Sequence, residues 1–333
     1  MPFHEDTKIP SRDGILRILT DNLGAPVPGR ELARLTGISR AGVWKQVASL
    51  RKDGVGIRAE GKKGYMLESV PDRLFPVLLQ KDLATNIVGK RIEYRRVTGS
   101  TNSDARNLAV RGVPDGTVVV AEHQTKGRGR LDRTWIAPPN ENILMSVIFY
   151  PKIGTSLAFR LTMMASVAVV RAVKKACGIA LMIKWPNDLY AGDRKVCGIL
   201  TEFSADHDMI HYIVVGIGLN VNFNTAGHSE IRAAATSLME TCGHQLSRVL
   251  LLKIILAELD GLYQSFSETR GEGLDKVWNA HSLVMGRRVR ILSGAEEKTG
   301  IARGITPDGH LVISNENGER EEIVCGDLSL RMD

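Results

Sequence analysis

Near residue 80 of this 333-residue chain the apolar pattern changes from short helical repeats to strand-like runs mixed with two long helices, which places a boundary between units there. "ESVPDRLFP", with two prolines, sits at the change and reads as a linker over residues 71–82, after a first domain at 1–70. The chain is too long for one typical core, and two or three domains are expected.

In the first part, Ile15, Leu16, Ile18 and Leu19 share one helical face. Leu32, Ala33 and Leu35 mark a short second helix that Gly37 stops. Ser39 is a good N-cap for a third, with Val43, Val47 and Leu50 inward. Two helices joined by a tight glycine-containing turn make a helix-turn-helix. Ser39, Arg40, Trp44, Lys45 and Arg51 then lie where phosphates and base edges are read. "GVGIRAEGKKGYML" follows as two strands around a basic tip, Lys62 and Lys63, the shape of a wing. Residues 1–66 hold five Lys and seven Arg against seven acidic residues, a balance of +5 out of +7 for the chain. A basic end on a nearly neutral remainder suggests a nucleic-acid module attached to something else. A three-helix interaction domain with solvated charges is the competing reading.

Composition excludes more than it assigns. No apolar run reaches the roughly 20 residues a membrane span needs, and "MPFHEDTKIPSRDG" lacks the apolar core of a secretory signal. Cys177, Cys197, Cys242 and Cys325 form no C-x-x-C pair, which fits reduced thiols and a cytoplasmic location.

Beyond residue 80, "GTVVVAEHQ", "NILMSVIFY", "LMIKWPNDLY", "VCGILTEF" and "HYIVVGIGLNVNF" read as strands, with long helices over 157–177 and 249–266. A mixed sheet covered by helices follows. Polar clusters stand at the strand ends. Ser100, Thr101 and Asn102 offer hydroxyls and an amide to a neutral polar ligand, or else cap the next helix. Gly127-Arg128-Gly129-Arg130 joins close-approach glycines to guanidinium forks and suits anions, although it lacks the ending of a Walker loop. Gly216 and Gly218 lack the third glycine and the helix of a dinucleotide site; they read as a place where a flat ligand lies against the backbone. Asp188 can hold a divalent cation and Lys195 a carboxylate or phosphate, or both are ordinary surface charges. No Ser-His-acid or Cys-His arrangement is legible, which favours electrostatic catalysis on anions.

In this order, "GSTN", "QTKGRGR", "KWPNDLY", "DRKVCGIL" and "GIGLNV" resemble the signature segments of the biotin–protein ligases, and the basic helix-turn-helix in front resembles the bifunctional bacterial form, biotin operon repressor and ligase in one chain. The resemblance covers nearly all of the chain. It implies an α+β fold: an N-terminal winged helix-turn-helix, a central mixed-sheet catalytic domain of the biotin/lipoate ligase kind over 83–283, and a C-terminal SH3-like β-barrel over 284–333. It implies ATP-dependent formation of biotinyl-5′-AMP, then transfer to a lysine of a biotin carboxyl carrier protein, with Mg²⁺ assisting.

By the same resemblance, Ser100, Thr101, Asn102 and Gln124 line the biotin ureido pocket, floored by Gly216 and Gly218. Arg128, Gly129 and Arg130 hold the biotin carboxylate and phosphates. Lys195 bridges carboxylate and α-phosphate; Lys184 and Asn220 contact the nucleotide; Asp188 is the metal partner. Arg128, Lys195 and Asp188 are thus the catalytic candidates. Residues 224–238 stand where the adenylate-covering loop lies, and Arg303 and Arg331 reach toward the nucleotide. Biotinyl-AMP acts as corepressor, and a homodimer binds the operator. The rivals are a lipoate or octanoate ligase or transferase of the related fold, and a ligand-sensing DNA-binding regulator without catalysis.

Overall fold

The computed structural model of the chain describes residues 11–228, 233–293, 296–324 and 326–330. Cys325 and Arg331 lie outside the described residues, as does part of the 224–238 loop. The chain divides into two compact units, 1–82 and 83–333.

The first unit packs α1 (Ser11–Asp21), α2 (Gly29–Thr36) and α3 (Arg40–Lys52) around Ile15, Leu16, Leu19, Leu32, Val43, Val47 and Leu50, all buried. Gly37 ends α2 in the left-handed conformation, φ 68°, which a side chain would resist. Ser39 caps α3, its Oγ accepting from the Gly42 N–H at 3.1 Å. β1 (Gly56–Ala59) and β2 (Tyr65–Ser69) pair antiparallel, so that Ile57 faces Leu67 and both are buried. Their tip, a 3-10 turn over Gly61–Lys63, leaves Lys62 and Lys63 exposed. Leu35 is exposed, not part of the core that forms α2.

The stretch expected to be a linker is largely built into this unit. Leu74, Phe75 and Leu79 are buried, α4 (Pro76–Gln80) packs on α1, and the Arg12 guanidinium lies 5.1 Å from the centre of the Phe75 ring. The two prolines mask an apolar anchor, Leu-Phe-Pro-Val-Leu-Leu, and its burial outweighs their turn preference.

The second unit begins with β3 (Ile92–Arg95), α5 (Thr101–Ala109), β4 (Val118–Ala121), β5 (Ile143–Phe149) and α6 (Phe159–Cys177). It continues through β6 (Met182–Lys184), β7 (Asp188–Ala191), β8 (Arg194–Asp206), β9 (Met209–Leu219), α7 (Leu238–Cys242), α8 (Arg248–Thr269) and α9 (Leu274–Ala280). Among the described residues these strands form one seven-stranded sheet, in the order β3-β4-β5-β9-β8-β7-β6. Only β3 and β4 run parallel, with α5 as the crossover between them. β4 and β5 are buried throughout, as continuous apolar runs require. α5 seats Ala105, Leu108 and Ala109 on Val119, Ile148 and Val214, while α6 packs on β8 and β9 with α8 stacked against it. Residues 155–177 are long and apolar enough to cross a membrane, but most of that stretch is core.

The chain ends in a small antiparallel SH3-like sheet, order β13-β12-β11-β10-β14, built from β10 (Arg288–Ser293), β11 (Glu296–Ile305), β12 (Leu311–Ser314), β13 (Arg320–Ile323) and β14 (Asp327–Leu330). It docks on the unit of the seven-stranded sheet through a turn. Trp185 Nε1 donates to the Gly309 carbonyl at 3.0 Å and Arg160 to Asp308 at 3.0 Å. Gly309 has φ +87°, and a Cβ there would run into the Phe159 ring.

Candidate active site

One cavity of about 500 Å³ opens above the β8–β9 strand pair. Its walls include Ser100, Thr101, Asn102, Gln124, Arg128, Gly129, Arg130, Lys184, Asp188, Lys195, Gly216, Gly218 and Asn220. The sequence separates these residues by more than a hundred positions; the sheet brings all of them to one place.

One end is neutral and buried. α5 begins at Thr101 with Ser100 in the N-cap position, but the Ser100 side chain makes no cap hydrogen bond. The first turn of the helix is capped by Gln124, whose Oε1 accepts from the Thr101 N–H at 2.7 Å and the Thr101 hydroxyl at 2.9 Å. The Ser146 hydroxyl lies 2.8 Å from Thr101 Oγ1 and 2.6 Å from Asn102 Oδ1. Asn102 Nδ2 donates to Leu200 O at 3.2 Å and to the Glu202 carboxylate at 2.7 Å. These contacts fix the direction of the Asn102 and Gln124 amides, with the Thr101 N–H and hydroxyl both pointing at Gln124.

The glycine floor differs from expectation in what lies on it. A Cβ on Gly216 would overlap the Asn102 amide oxygen, and a Cβ on Gly218 would come within 2.7 Å of the Trp135 indole. Gly218 pairs across the strands with Gly198, where a Cβ would stand 3.0 Å from the same indole. The flat group on the glycines is therefore the chain's own Trp135, which itself walls the cavity.

The other end is cationic. Lys195 on β8 lies 2.6 Å from Asp188 on β7, and its Nζ sits 5.5 Å from the centre of the Trp135 ring. Lys184 Nζ lies 3.4 Å from the Tyr190 hydroxyl. Burial, and then the nearby Asp188 charge, push Tyr190 up to about 12, so it stays a neutral phenol at physiological pH. Arg128 reaches Glu202 at 3.4 Å and Ser103 at 3.5 Å. Arg130 lines the cavity, yet its guanidinium donates to the Gly326 carbonyl at 3.3 Å, tying the loop to the C-terminal sheet. Asn220 donates to Thr236 O at 3.0 Å and leaves its buried Oδ1 without a hydrogen-bond partner.

The Arg/Gly stretch is folded on itself. Trp135 N donates to Gly127 O at 2.9 Å, Gly129 N donates to Arg133 O at 2.7 Å, and Arg128 bridges Thr134. Gly127 is required there, because a Cβ would meet the Trp135 carbonyl at 2.7 Å. The base is held by a buried ion pair, Arg248 to Glu122 at 2.9 Å, and Arg248 also donates to Asn142 O at 3.0 Å. The second loop crosses Lys195, whose N–H donates to Ala234 O at 2.9 Å and whose carbonyl accepts from Thr236 N at 2.8 Å. Glu240 staples the two ends of that loop by accepting from Thr225 N at 2.7 Å and from Thr236 Oγ1 at 3.0 Å.

Sequence reasoning missed Trp135, Ser146, Gly198 and Glu202. Gly198 in "KVCGIL" was visible, since a strand glycine marks close approach; Ser146 and Glu202 carry no such local mark. Arg303 is a correction: it is exposed and bonds Ser314 Oγ at 3.0 Å, away from the cavity walls.

A Mg²⁺ ion prefers one or two carboxylates, several waters and substrate phosphates. Among the described residues no cluster of three or more metal-ligating side chains occurs, and Asp188 is the carboxylate on the cavity wall. That donor set fits an ion carried in by a triphosphate.

In the first unit Arg40, Trp44 and Lys45 project from α3 into solvent, Trp44 62% exposed, as do Lys62 and Lys63 on the wing.

Fold and cavity together define a ligase of the biotin/lipoate type joined to a helix-turn-helix domain. Residues 94–220 match the Biotin/lipoate A/B protein ligase family, 12–66 an HTH domain, and 284–331 the Biotin protein ligase C terminal domain. The chain is 33% identical over 305 residues to the bifunctional ligase/repressor BirA of Bacillus spizizenii, covering 91% of this chain and 94% of that one. It is 34% identical over 271 residues to the biotin–[acetyl-CoA-carboxylase] ligase of Mycobacterium tuberculosis, covering 77% and 97%. The solved structure of the biotin protein ligase from Aquifex aeolicus in complex with biotin and ATP matches with a TM-score of 0.64 and 31% identity, over 73% of this chain and all of that one. The chain belongs to the biotin–protein ligase family, in its bifunctional ligase/repressor form. It is an ATP-dependent biotin–protein ligase with a DNA-binding domain.

Proposed function

We propose that the neutral end of the cavity takes the biotin ureido ring and the cationic end joins the biotin carboxylate to ATP. The observation that carries this is the convergence of Arg128, Lys184 and Lys195 on the cavity that also holds Ser100, Thr101, Asn102 and Gln124. A carboxylate oxygen of biotin attacks the α-phosphorus, the bond to pyrophosphate breaks, and biotinyl-5′-AMP remains. The ε-amine of a carrier-protein lysine then attacks the acyl carbon, AMP leaves, and the amine gives up a proton to solvent.

Two anions repel, and the side chains answer that obstacle. Lys195 bridges carboxylate and α-phosphate, Arg128 and Lys184 take the remaining oxygens, and Asn220 offers an amide to the nucleotide. Arg130 and Gly129 close the hairpin over the mixed anhydride and keep water out. Asp188 would hold a Mg²⁺ accompanying the triphosphate, and such an ion supplies charge neutralisation. Fixed cations of this kind need no reorganisation when charge develops.

α3 and the wing hold operator DNA through Ser39, Arg40, Trp44, Lys45, Lys62 and Lys63, with biotinyl-AMP as corepressor of a homodimer. The carrier is the biotin carboxyl carrier protein of a biotin-dependent carboxylase. Biotin-dependent exchange of pyrophosphate into ATP, run with wild type and Arg128→Ala, tests the enzyme; adenylation of lipoate in place of biotin would overturn the substrate. DNA from the protein's own biotin locus should bind tightly only with biotin and ATP present. Equal binding without them would remove the corepressor role.

A further inference from the structure

We propose that Glu202 is a positioning residue for the ligase reaction, one carboxylate that aims the neutral end of the cavity and tethers a cation of the other. This rests on the reading of the cavity given above. Glu202 is not a wall of the cavity; it stands behind Asn102 on β8, its side chain 24% exposed. One oxygen accepts from Asn102 Nδ2 at 2.7 Å. The other lies 3.3 Å from Arg106 and 3.4 Å from Arg128.

The Asn102 amide has two N–H donors, and Glu202 and Leu200 O take both. Ser146 donates to its oxygen. Turned over, the amide would set its oxygen against a carboxylate and a carbonyl, so Glu202 forbids that orientation. The remaining lone pair of Oδ1 is thereby left for a ligand N–H.

The Arg128 contact is of another kind. It is long, and the guanidinium is 38% exposed, so it exchanges readily for an incoming anion. Arg106 lies 3.3 Å from the same oxygen, so two guanidiniums share Glu202 and release of Arg128 leaves a second cation beside it. The cation waits at the cavity edge and leaves no bare carboxylate behind.

Full-length E202A, E202Q, N102A, R128A and the doubles N102A/E202A and R128A/E202Q are compared in biotin-dependent pyrophosphate exchange, with separate KM values for biotin and ATP. Losing the charge-assisted acceptor of a buried amide should raise the biotin KM of E202A roughly tenfold, with the ATP KM within about twofold. E202Q keeps an acceptor oxygen for Asn102 and should recover the biotin KM to within about threefold, while its kcat stays about threefold low for want of the tether. In the N102A background E202A should add less than about twofold to the biotin KM, and in the R128A background E202Q should not lower kcat further. Additive effects in either double, or a wild-type biotin KM in E202A, overturn the proposal alone. Should E202A not fold, E202Q and its double decide through kcat. Wild-type chain that adenylates no biotin would instead overturn the reading of the cavity.

Discussion

The two ends of the cavity are built on opposite plans. At the neutral end, Thr101, Asn102, Gln124 and Ser146 bond to one another at 2.6–2.9 Å and are fixed before any ligand arrives. At the cationic end each charge rests on a partner it can give up: Lys195 on Asp188, Arg128 on Glu202, Arg130 on the Gly326 carbonyl. The contrast follows from what each must recognise. A neutral ring is told from its analogues by which buried donors go unpaired, and that demands rigidity. On the proposed reading, phosphate and carboxylate are held at the cationic end by charge, which tolerates movement.

Gly216→Ala should break the neutral end most severely, because its methyl displaces the Asn102 amide oxygen. We expect kcat/KM for biotin to fall about a thousandfold with the ATP KM nearly unchanged. An equal loss toward both substrates would mean that the two ends are not separable.

Lys195→Ala should lower kcat about a few hundredfold in single-turnover adenylation, as loss of one preorganised donor does. It also leaves the Asp188 charge without its 2.6 Å partner beside the phosphates, so the ATP KM should rise as well. An unchanged kcat would remove Lys195 from the reacting centre.

Arg128→Ala should cost less, about tenfold in the ATP KM, since the guanidinium is partly exposed and its attraction is screened. The wild-type ATP KM should rise with added salt, and that rise should flatten in the variant. A salt response identical in the two proteins would remove Arg128 from the anion site.

The smallest effect is on the second loop. Burial of Glu240 raises its carboxyl, but hydrogen bonds from Thr225 and Thr236 and the Arg194 charge outweigh it and hold the group below 4.5. A depressed carboxylate stabilises the fold above its unfolded value and loses that contribution as pH falls through the folded value. Protease cleavage within the 224–238 loop should therefore increase as pH is lowered below about 4.5, and Glu240→Gln should make it more nearly independent of pH. A loop equally resistant at pH 4 and pH 6 in wild type would mean that the staple carries nothing.

Legibility in the sequence followed the range of the contacts. Ser39 and Gly37 announce the boundaries of α3 and α2 because a cap involves residues three or four positions away. The cationic wall was legible because Arg128, Lys195 and Asp188 are chemically conspicuous and the ordered motifs resemble a family. The misreading at 71–82 came from weighing two prolines over the apolar residues between them, which only α1 could show to be buried.

The chain's order of residues therefore decides, unaided, its helices and strands, its basic first unit and the stock of charges available to a site. Each of those depends on neighbours within about one helical turn or one strand. The pairing of Gly198 with Gly218, the indole laid across them, the Glu202 carboxylate between Asn102 and Arg128, and the buried Arg248–Glu122 pair belong to the folded sheet. Those partners lie from 20 to 126 positions apart. Which of them meet is settled by strand register, where a slip of one residue turns every side chain to the other face.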